Sequence, residues 1–245
     1  MLKQTVVIIL QARMESKRLP KKVMKCILKK TLLEHLLERL IKVSNVQKIV
    51  VATTKDPKDN AIAHYCSTKE ISVFRGSSNN VLKRYFMAAK AYNADVIVRL
   101  TADCPLIDPH IIEQVVQTFL QNSEQFDYVS NTLKRSYPRG MDTEVFSFKA
   151  LEKTYREAKE EYDQEHVTSF IYNNPKIFRT TNVSYHRDLS FHRWTVDTIE
   201  DFMLIKNILE SLTKASDPYL METVLSLFSS NPKWLDINKH VKQNS

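Results

Sequence analysis

The sequence predicts an α/β fold: a three-layer α/β/α sandwich built on a mainly parallel sheet. Three observations carry the prediction. Apolar, β-branched runs at 5–10, 48–53 and 95–100 have the character of strands buried on both faces. Segments with apolar residues at helical spacing lie between them. Regular alternation of the two is the pattern of parallel strands joined by helical crossovers.

The elements follow in order. The run TVVIIL at 5–10 is the first strand, and a basic loop occupies 11–22. Thr31 and Glu34 form a capping-box signature, after which Leu33, Leu36, Leu37, Leu40 and Ile41 recur at helical spacing. KIVVAT at 48–53 is the second strand, 59–66 a helix and 72–74 a short strand. A helix at 79–92 places Leu82, Phe86 and Ala89 on one face. DVIVRL at 95–100 is the third clear strand. Asp108 and Pro109 supply an N-cap and a proline at the first helical position, opening a helix to about 120. Strands are expected at 127–130, 143–147, 178–183 and 193–196, and helices at 149–161, 165–172, 198–212 and 217–229. No linker or repeat divides the chain. It reads as a single domain over 1–230 with a polar tail, 231–245, expected to be a loose arm.

Composition narrows the function. The 245 residues include only 2 glycines, Gly76 and Gly140, where ordinary usage would give about 17. Neither a G-x-G-x-x-G dinucleotide fingerprint nor a glycine-rich P-loop can be present. A net charge of +8 favours anionic ligands: nucleotide, acidic sugar or nucleic acid. Cys26, Cys66 and Cys104 are an odd set without C-x-x-C spacing, which suggests neither a disulfide framework nor a zinc site. The first apolar run is too short for a secretory signal, and no stretch is long enough to span a membrane. A cytoplasmic protein is expected.

Five segments could carry chemistry. The loop after the first strand holds Arg13, Lys17, Arg18, Lys21 and Lys22, with Glu15 its only acid. Parallel sheets bind ligands at the carboxyl ends of their strands, so this loop is placed to grip a polyphosphate. Asp103, just past the strand at 95–100, suits Mg²⁺, which takes one or two carboxylates and completes its shell with water and phosphate oxygens. Asp197 stands at the end of the segment 193–196, where Thr198 and Asp201 resemble a capping box and leave Asp197 free to share the metal. The stretch 137–146 contains a P-R-G turn, and Glu144 beyond it could accept from a sugar hydroxyl. His166 near a helix start is the fifth, and such a histidine is more often a packing residue than a catalyst.

Together these segments resemble the cytidylyltransferases that activate acidic sugars, the CMP-Kdo and CMP-sialate synthetases, and most closely the branch named for spore-coat polysaccharide synthesis. The likeness rests on IILQARMESKRLPKKVM, KIVVATT, VFRGSSNNVLKRY, ADVIVRLTADCPLIDP, YPRGMDTEVFS, EHVTSFIY and RWTVDTIEDF, spanning about residues 6–208. It implies a Rossmann-like nucleotidyltransferase fold of the glycosyltransferase-A type, CTP and an acidic sugar as partners, and Mg²⁺ as cofactor. It implies that Arg13, Arg18 and Lys22 bind the triphosphate, with Arg13, Lys22 and Asp103 acting in catalysis. Gln11, Ala12, Arg75, Gly76 and Thr101 would line the nucleotide cleft, and Tyr137, Glu144 and His166 the sugar side. Asp103 and Asp197 would be the metal ligands. Relatives are often dimers, which leaves a homodimer open.

The chain departs from the family at defined places. Glu15 and Lys21 stand where relatives carry glycine in the basic loop, Ala102 replaces the glycine of T-G-D-C-P, and Ile199 replaces a proline. Two other readings share these residues: a glycosyltransferase of the same fold, against which the absent D-x-D motif counts, and a non-catalytic nucleotide-binding module. Nucleic-acid binding is a weaker fit, because the cations cluster in one loop instead of spreading over a face.

Overall fold

The computed structural model describes residues 4–242. Strand β1 (Val6–Gln11) precedes the basic loop, and a small hairpin, β2 (Cys26–Ile27) and β3 (Lys30–Thr31), leads into α1 (Leu32–Leu40). Next come β4 (Lys48–Thr54), α2 (Asn60–Thr68), β5 (Ser72–Gly76), α3 (Val81–Ala91), β6 (Val96–Thr101) and α4 (Pro109–Gln121). The second half contains β7 (Tyr128–Ser130), β8 (Glu144–Ser147), α5 (Phe148–Glu157), α6 (Glu161–His166), α7 (Ser169–Tyr172) and β9 (Thr180–Asn182). The chain closes with α8 (Ile199–Leu212), α9 (Met221–Ser230) and α10 (Trp234–Ile237).

Seven strands form one sheet in the order β5-β4-β1-β6-β8-β7-β9 among the described residues. The β5-β4-β1-β6 half is parallel, and β8 enters antiparallel to both β6 and β7. The chain moves outward from β1 through β4 to β5, then returns to lay β6 on the other side of β1. Such a reversal opens a crevice at the carboxyl ends of the two inner strands. Here those ends are Gln11 and Thr101, paired directly across the sheet.

Strand periodicity builds the layers. Val6, Ile8 and Leu10 face a core shared with α1, α2 and α4, while Val7 and Ile9 face a second core under α3 and α5. Both faces of β1 are thus buried, and all five of these side chains are at most 2% exposed. A third cluster, centred on Trp194, packs α8 and α9 at one end of the sandwich.

Three expectations need correction, and one element was not expected. The segment 193–196 is not a strand of the sheet; it pairs with the turn before β8 by one bridge, Arg139 to Arg193, and touches the loop after β6 where Val196 N–H donates to the Asp103 carbonyl at 2.8 Å. The helix expected over 165–172 is two short helices, because Val167 takes φ 64° and buries its side chain in the core under α3. The hairpin β2–β3 gave no sequence signal: its turn uses Leu28 at φ 51° and Lys29 at φ 64°, where glycine or asparagine is usual. The segment from 231 to 242 is packed, not loose. Trp234 meets Phe228 edge-on, and Asn238 is buried, donating to the Arg193 carbonyl at 2.9 Å and to Asp201 at 2.8 Å.

The two glycines differ in kind. Gly140 has φ +106°, and a Cβ there would meet the Trp194 backbone at 2.8 Å. At Gly76 a Cβ would meet side-chain carbons of Arg84 and Phe74 at 2.9 Å, with no unusual backbone angle. At Gly76 the neighbours are the stem of a fully buried arginine and a phenylalanine ring, so packing must shift; at Gly140 the obstacle is backbone, and the residue's own φ also disfavours a side chain. Gly140→Ala is expected to cost about 2 kcal/mol or more, and Gly76→Ala clearly less, as read from denaturant midpoints. Equal losses would contradict this account.

Candidate active site

The loop after β1 is held down at both ends of its first turn. Ala12 N–H donates to the Ala52 carbonyl at 3.2 Å, and Met14 N–H donates to the buried Asp59 carboxylate at 2.7 Å. Lys21 occupies the left-handed region at φ 57°. This is one of the positions where relatives carry glycine, so the loop keeps a glycine-like backbone with a lysine in it. Such a conformation costs an L-residue about 1 kcal/mol or more.

The centre of the site is one ammonium group. Lys22 Nζ donates to Asp103 Oδ2 at 2.9 Å, Asp197 Oδ1 at 2.8 Å and the Val196 carbonyl at 2.8 Å. Three separate segments therefore meet at one cation. Asp103 follows β6 and also accepts from the Thr101 hydroxyl at 2.6 Å. Asp197 is brought beside it because Val196 N–H donates to the Asp103 carbonyl at 2.8 Å. The other oxygen of Asp197 takes Arg18 at 3.0 Å and Arg193 at 2.7 Å. Asp201 does the structural work expected of it. It caps α8 reciprocally with Thr198 and holds Arg193 at 2.9 Å.

Electrostatics follows from this geometry. Burial alone would raise the Asp103 carboxyl, but the Lys22 charge and the hydrogen bonds from Thr101, Lys22 and Cys104 outweigh it and hold the pKa at about 2. Burial would lower Lys22, and its two carboxylate partners reverse that, leaving it above its ordinary value. The neighbouring Cys104 thiol is pushed well up by burial and then by Asp103, so it stays a neutral thiol, as a buried hydrophobe should.

A cavity of about 670 Å³ covers this centre. Gln11, Ala12, Arg13, Arg18, Lys22, Thr101, Asp103, Asp197 and His166 all line it, so nine of the thirteen predicted site residues come together. A second cavity of about 520 Å³ adjoins it, sharing Thr101, Arg139, Asp142 and His166 and including Glu144. Burial, followed by the Arg99 charge, lowers the His166 pKa, so its imidazole is neutral at neutral pH.

Four predicted residues do not serve as expected. Tyr137 is 2% exposed and packs in the Trp194 cluster, its hydroxyl donating to Gln114 at 3.1 Å. Arg75, on β5, is turned onto the end of the neighbouring β4, donating to the carbonyls of Thr54 at 2.9 Å and Asp56 at 3.0 Å. Gly76 ends β5 against the Arg84 stem, and neither it nor Arg75 lines the cleft. Glu144 reaches the second cavity, but its oxygens are engaged by Arg99, by the Tyr128 hydroxyl at 2.7 Å and by the Thr168 hydroxyl at 2.5 Å.

Sequence reasoning missed the arginines of the second cavity. Arg99 pairs with Glu144 and Arg135 with Asp142, whereas Arg139 lies at the junction of both cavities among other cations. Burial and the charges of Arg135 and Arg193 lower its pKa, and only Asp142 acts in the opposite direction. The P-R-G turn was the available signal: Gly140 fixes the backbone that presents Arg139.

Asp103 and Asp197 each place an oxygen within 3 Å of a single point, now marked by Lys22 Nζ. Two hard carboxylates converging on one point, open to a polar cavity, suit a small divalent cation that keeps water and phosphate ligands. No group of three or more acidic, histidine or cysteine side chains that could hold a metal occurs among the described residues. The two aspartates fit Mg²⁺ only if Lys22 yields its place.

The fold and cleft define a nucleotide-binding α/β protein with its site at the topological switch of the sheet. The chain belongs to the cytidylyltransferase family, whose model matches residues 7–236, and is a CTP-dependent nucleotidyltransferase. It is 31% identical to the spore coat polysaccharide biosynthesis protein SpsF of Bacillus subtilis, over 93% of this chain and 95% of that protein. The structure of a cytidylyltransferase from Leptospira borgpetersenii superposes with a TM-score of 0.90 at 35% identity, covering 99% of this chain and 100% of that one. A CMP:2-keto-3-deoxy-manno-octonic acid synthetase complexed with CTP shares the fold, with a TM-score of 0.64 at 17% identity over 84% of this chain and 99% of its own. No helix among the described residues is long and apolar enough to cross a membrane.

The Asp103–Lys22 pair has a consequence for acid stability. A carboxyl held at about 2 stabilises the fold fully above its unfolded pKa near 3.8, and loses that contribution as pH falls through about 2. Wild type is expected to lose about 2 kcal/mol more than Asp103→Asn between pH 6 and pH 2, measured by urea unfolding. Parallel acid limbs for the two proteins would contradict the pairing.

Proposed function

We propose that this protein transfers CMP from CTP to a hydroxyl of an acidic sugar, with release of pyrophosphate, for a surface or spore-coat polysaccharide. The observation that carries the reading is the two-part cleft. One half is built of loop cations and strand-end carboxylates. The other half holds Arg139 beside neutral polar groups, while the acids Glu144 and Asp142 of the same lining are paired with Arg99 and Arg135. The family supports CTP as donor, and the likeness to a protein named for polysaccharide biosynthesis supports a sugar as acceptor.

In this reading the triphosphate lies along the loop after β1. Arg13 and Arg18 line that part of the cleft, and Lys22 moves from the aspartates onto phosphate oxygens. Arginine suits this task because its planar fork bonds two oxygens at once. Arg13 pairs with Glu165 at 3.1 Å, an exposed contact that phosphate can displace at little cost. The sugar enters the second cavity, its carboxylate on Arg139 and its hydroxyls toward His166 and Thr132. The acceptor hydroxyl oxygen then bonds to the α-phosphorus, and the bond from that phosphorus to the bridging oxygen of the β-phosphate breaks. Pyrophosphate leaves, and the hydroxyl proton passes to water. Loop cations on the β- and γ-phosphates stabilise the charge that develops on the leaving group. Asp103 and Asp197 would hold Mg²⁺, which supplies charge neutralisation and polarisation at the α-phosphate.

Pyrophosphate release from CTP with eight- and nine-carbon keto-sugar acids tests the reading. Asp103→Asn and Asp197→Asn should each lower kcat by about 100-fold or more. Full activity in both would remove the aspartates from the mechanism. Arg139→Ala should raise KM for the sugar acid by about tenfold or more while leaving KM for CTP nearly unchanged. Equal effects on both substrates would contradict the division of the cleft.

A further inference from the structure

Asp197, the second carboxylate of the site, follows a segment that belongs to no sheet. Its main chain is tied by the Arg139–Arg193 bridge and by Val196 N–H on the Asp103 carbonyl. A sheet strand is fixed along its length by a ladder of hydrogen bonds. Here buried side chains add what the ladder does not.

Asp201 is the hub of that support, and it is fully buried. Its Oδ1 accepts from Arg193 Nε at 2.9 Å and from Asn238 Nδ2 at 2.8 Å. Its Oδ2 accepts from Arg193 Nη2 at 3.1 Å and from the N–H groups of Thr198 at 3.1 Å and Asp197 at 2.9 Å. A capping box needs only the Thr198 bond. The others fix Asp197 twice. Its own N–H is held by Asp201, and Arg193 Nη2, held by the same carboxylate, reaches Asp197 Oδ2 at 2.7 Å. Asp197 Oδ1 then meets Lys22 Nζ at 2.8 Å.

Asn238 closes the hub from the tail. It is 5% exposed, and its nitrogen donates to the Arg193 carbonyl at 2.9 Å as well as to Asp201. Both partners can only accept, which fixes the orientation of the amide. One side chain therefore ties the Asp201 carboxylate to the main chain of Arg193. Asn238 lines neither half of the cleft. From this chain of bonds we infer that Asn238 is a positioning residue for the transfer reaction, setting the orientation of Asp197 through Asp201 and Arg193. The inference rests on the place given to Asp197 in the reaction proposed above. A second tether runs the same way: Arg18 donates to the Lys242 carbonyl at 3.3 Å and reaches Asp197 at 3.0 Å.

A double-mutant cycle with the full chain tests it. Asn238→Ala should lower kcat for pyrophosphate release by about tenfold and leave KM for CTP and for the sugar acid within about twofold. In the Asp197→Asn background the same change should cost less than about twofold, because the group it acts through is already altered. In the protein without nucleotide, the Asp197 and Thr198 amide protons should exchange about tenfold faster in Asn238→Ala, with the β1 amides unchanged. Should Asn238→Ala fail to fold, Asn238→Asp keeps the shape and sets a carboxylate against Asp201, and the same pattern is expected. Unchanged kcat, equal losses in the two backgrounds, unchanged exchange at Asp197, or exchange accelerated equally in β1 would each overturn the role of Asn238. Full activity in Asp197→Asn alone would overturn the transfer mechanism and this role with it. The exchange measurement needs neither CTP nor sugar, so it separates a failure of the brace from a failure of that mechanism.

Discussion

The Lys22 ammonium, shared by Asp103, Asp197 and the Val196 carbonyl, is the interaction on which the cleft depends. It joins the loop after β1, the end of β6 and the segment before α8, three pieces far apart in sequence. Without a cation at that point Asp103 would lose its charged partner and face Asp197, which Arg18 and Arg193 hold by its other oxygen only. Lys22 meets this requirement. In the proposed reaction an external cation would take its place while the lysine serves the phosphates.

The parallel sheet makes this convergence possible. Gln11 and Thr101 pair across β1 and β6, so anything leaving those strands begins at one edge of the sheet. The aligned ends do not by themselves recruit Asp197. That task falls to an extended segment hydrogen-bonded to the loop after β6 and anchored by Arg193, Asp201 and Asn238. The packed tail is therefore part of the site's support: Asn238 holds Asp201, Asp201 holds Arg193, and Arg193 holds Asp197. Arg18 is tied to the same tail through the Lys242 carbonyl at 3.3 Å.

Much of the architecture was legible in the sequence because buried parallel strands write long apolar runs. β1, β4 and β6 stand within about a residue of their expected bounds, and Asp108 caps α4 as its D-P signature indicated. The basic loop and Asp103 were legible because strand-end position is readable from the strand itself; Asp197 was singled out from an expected strand at 193–196 that does not form, and it reaches the site through an extended segment instead. Other features had no local signature. Val167 ends a helix because the core takes its side chain, not because of its own propensity. Tyr137 looked like a cleft residue beside the P-R-G turn, yet the turn directs Arg139 outward and Tyr137 into the core. Glu144 was placed correctly on a strand near the cleft, but three partners from distant segments engage its oxygens. The scarcity of glycine excluded phosphate loops of the glycine-rich kind. It did not exclude their backbone geometry, which Lys21 adopts at a modest cost.

The central claim is that one cation position governs the site and that Lys22 vacates it when nucleotide binds. A crystal structure with CTP and Mn²⁺, the ion located by its anomalous signal, addresses this directly. The account predicts an anomalous peak coordinated by both Asp103 and Asp197, with Lys22 Nζ moved onto a phosphate oxygen. A peak elsewhere, or Lys22 still bound between the two aspartates with CTP in the cleft, would contradict it.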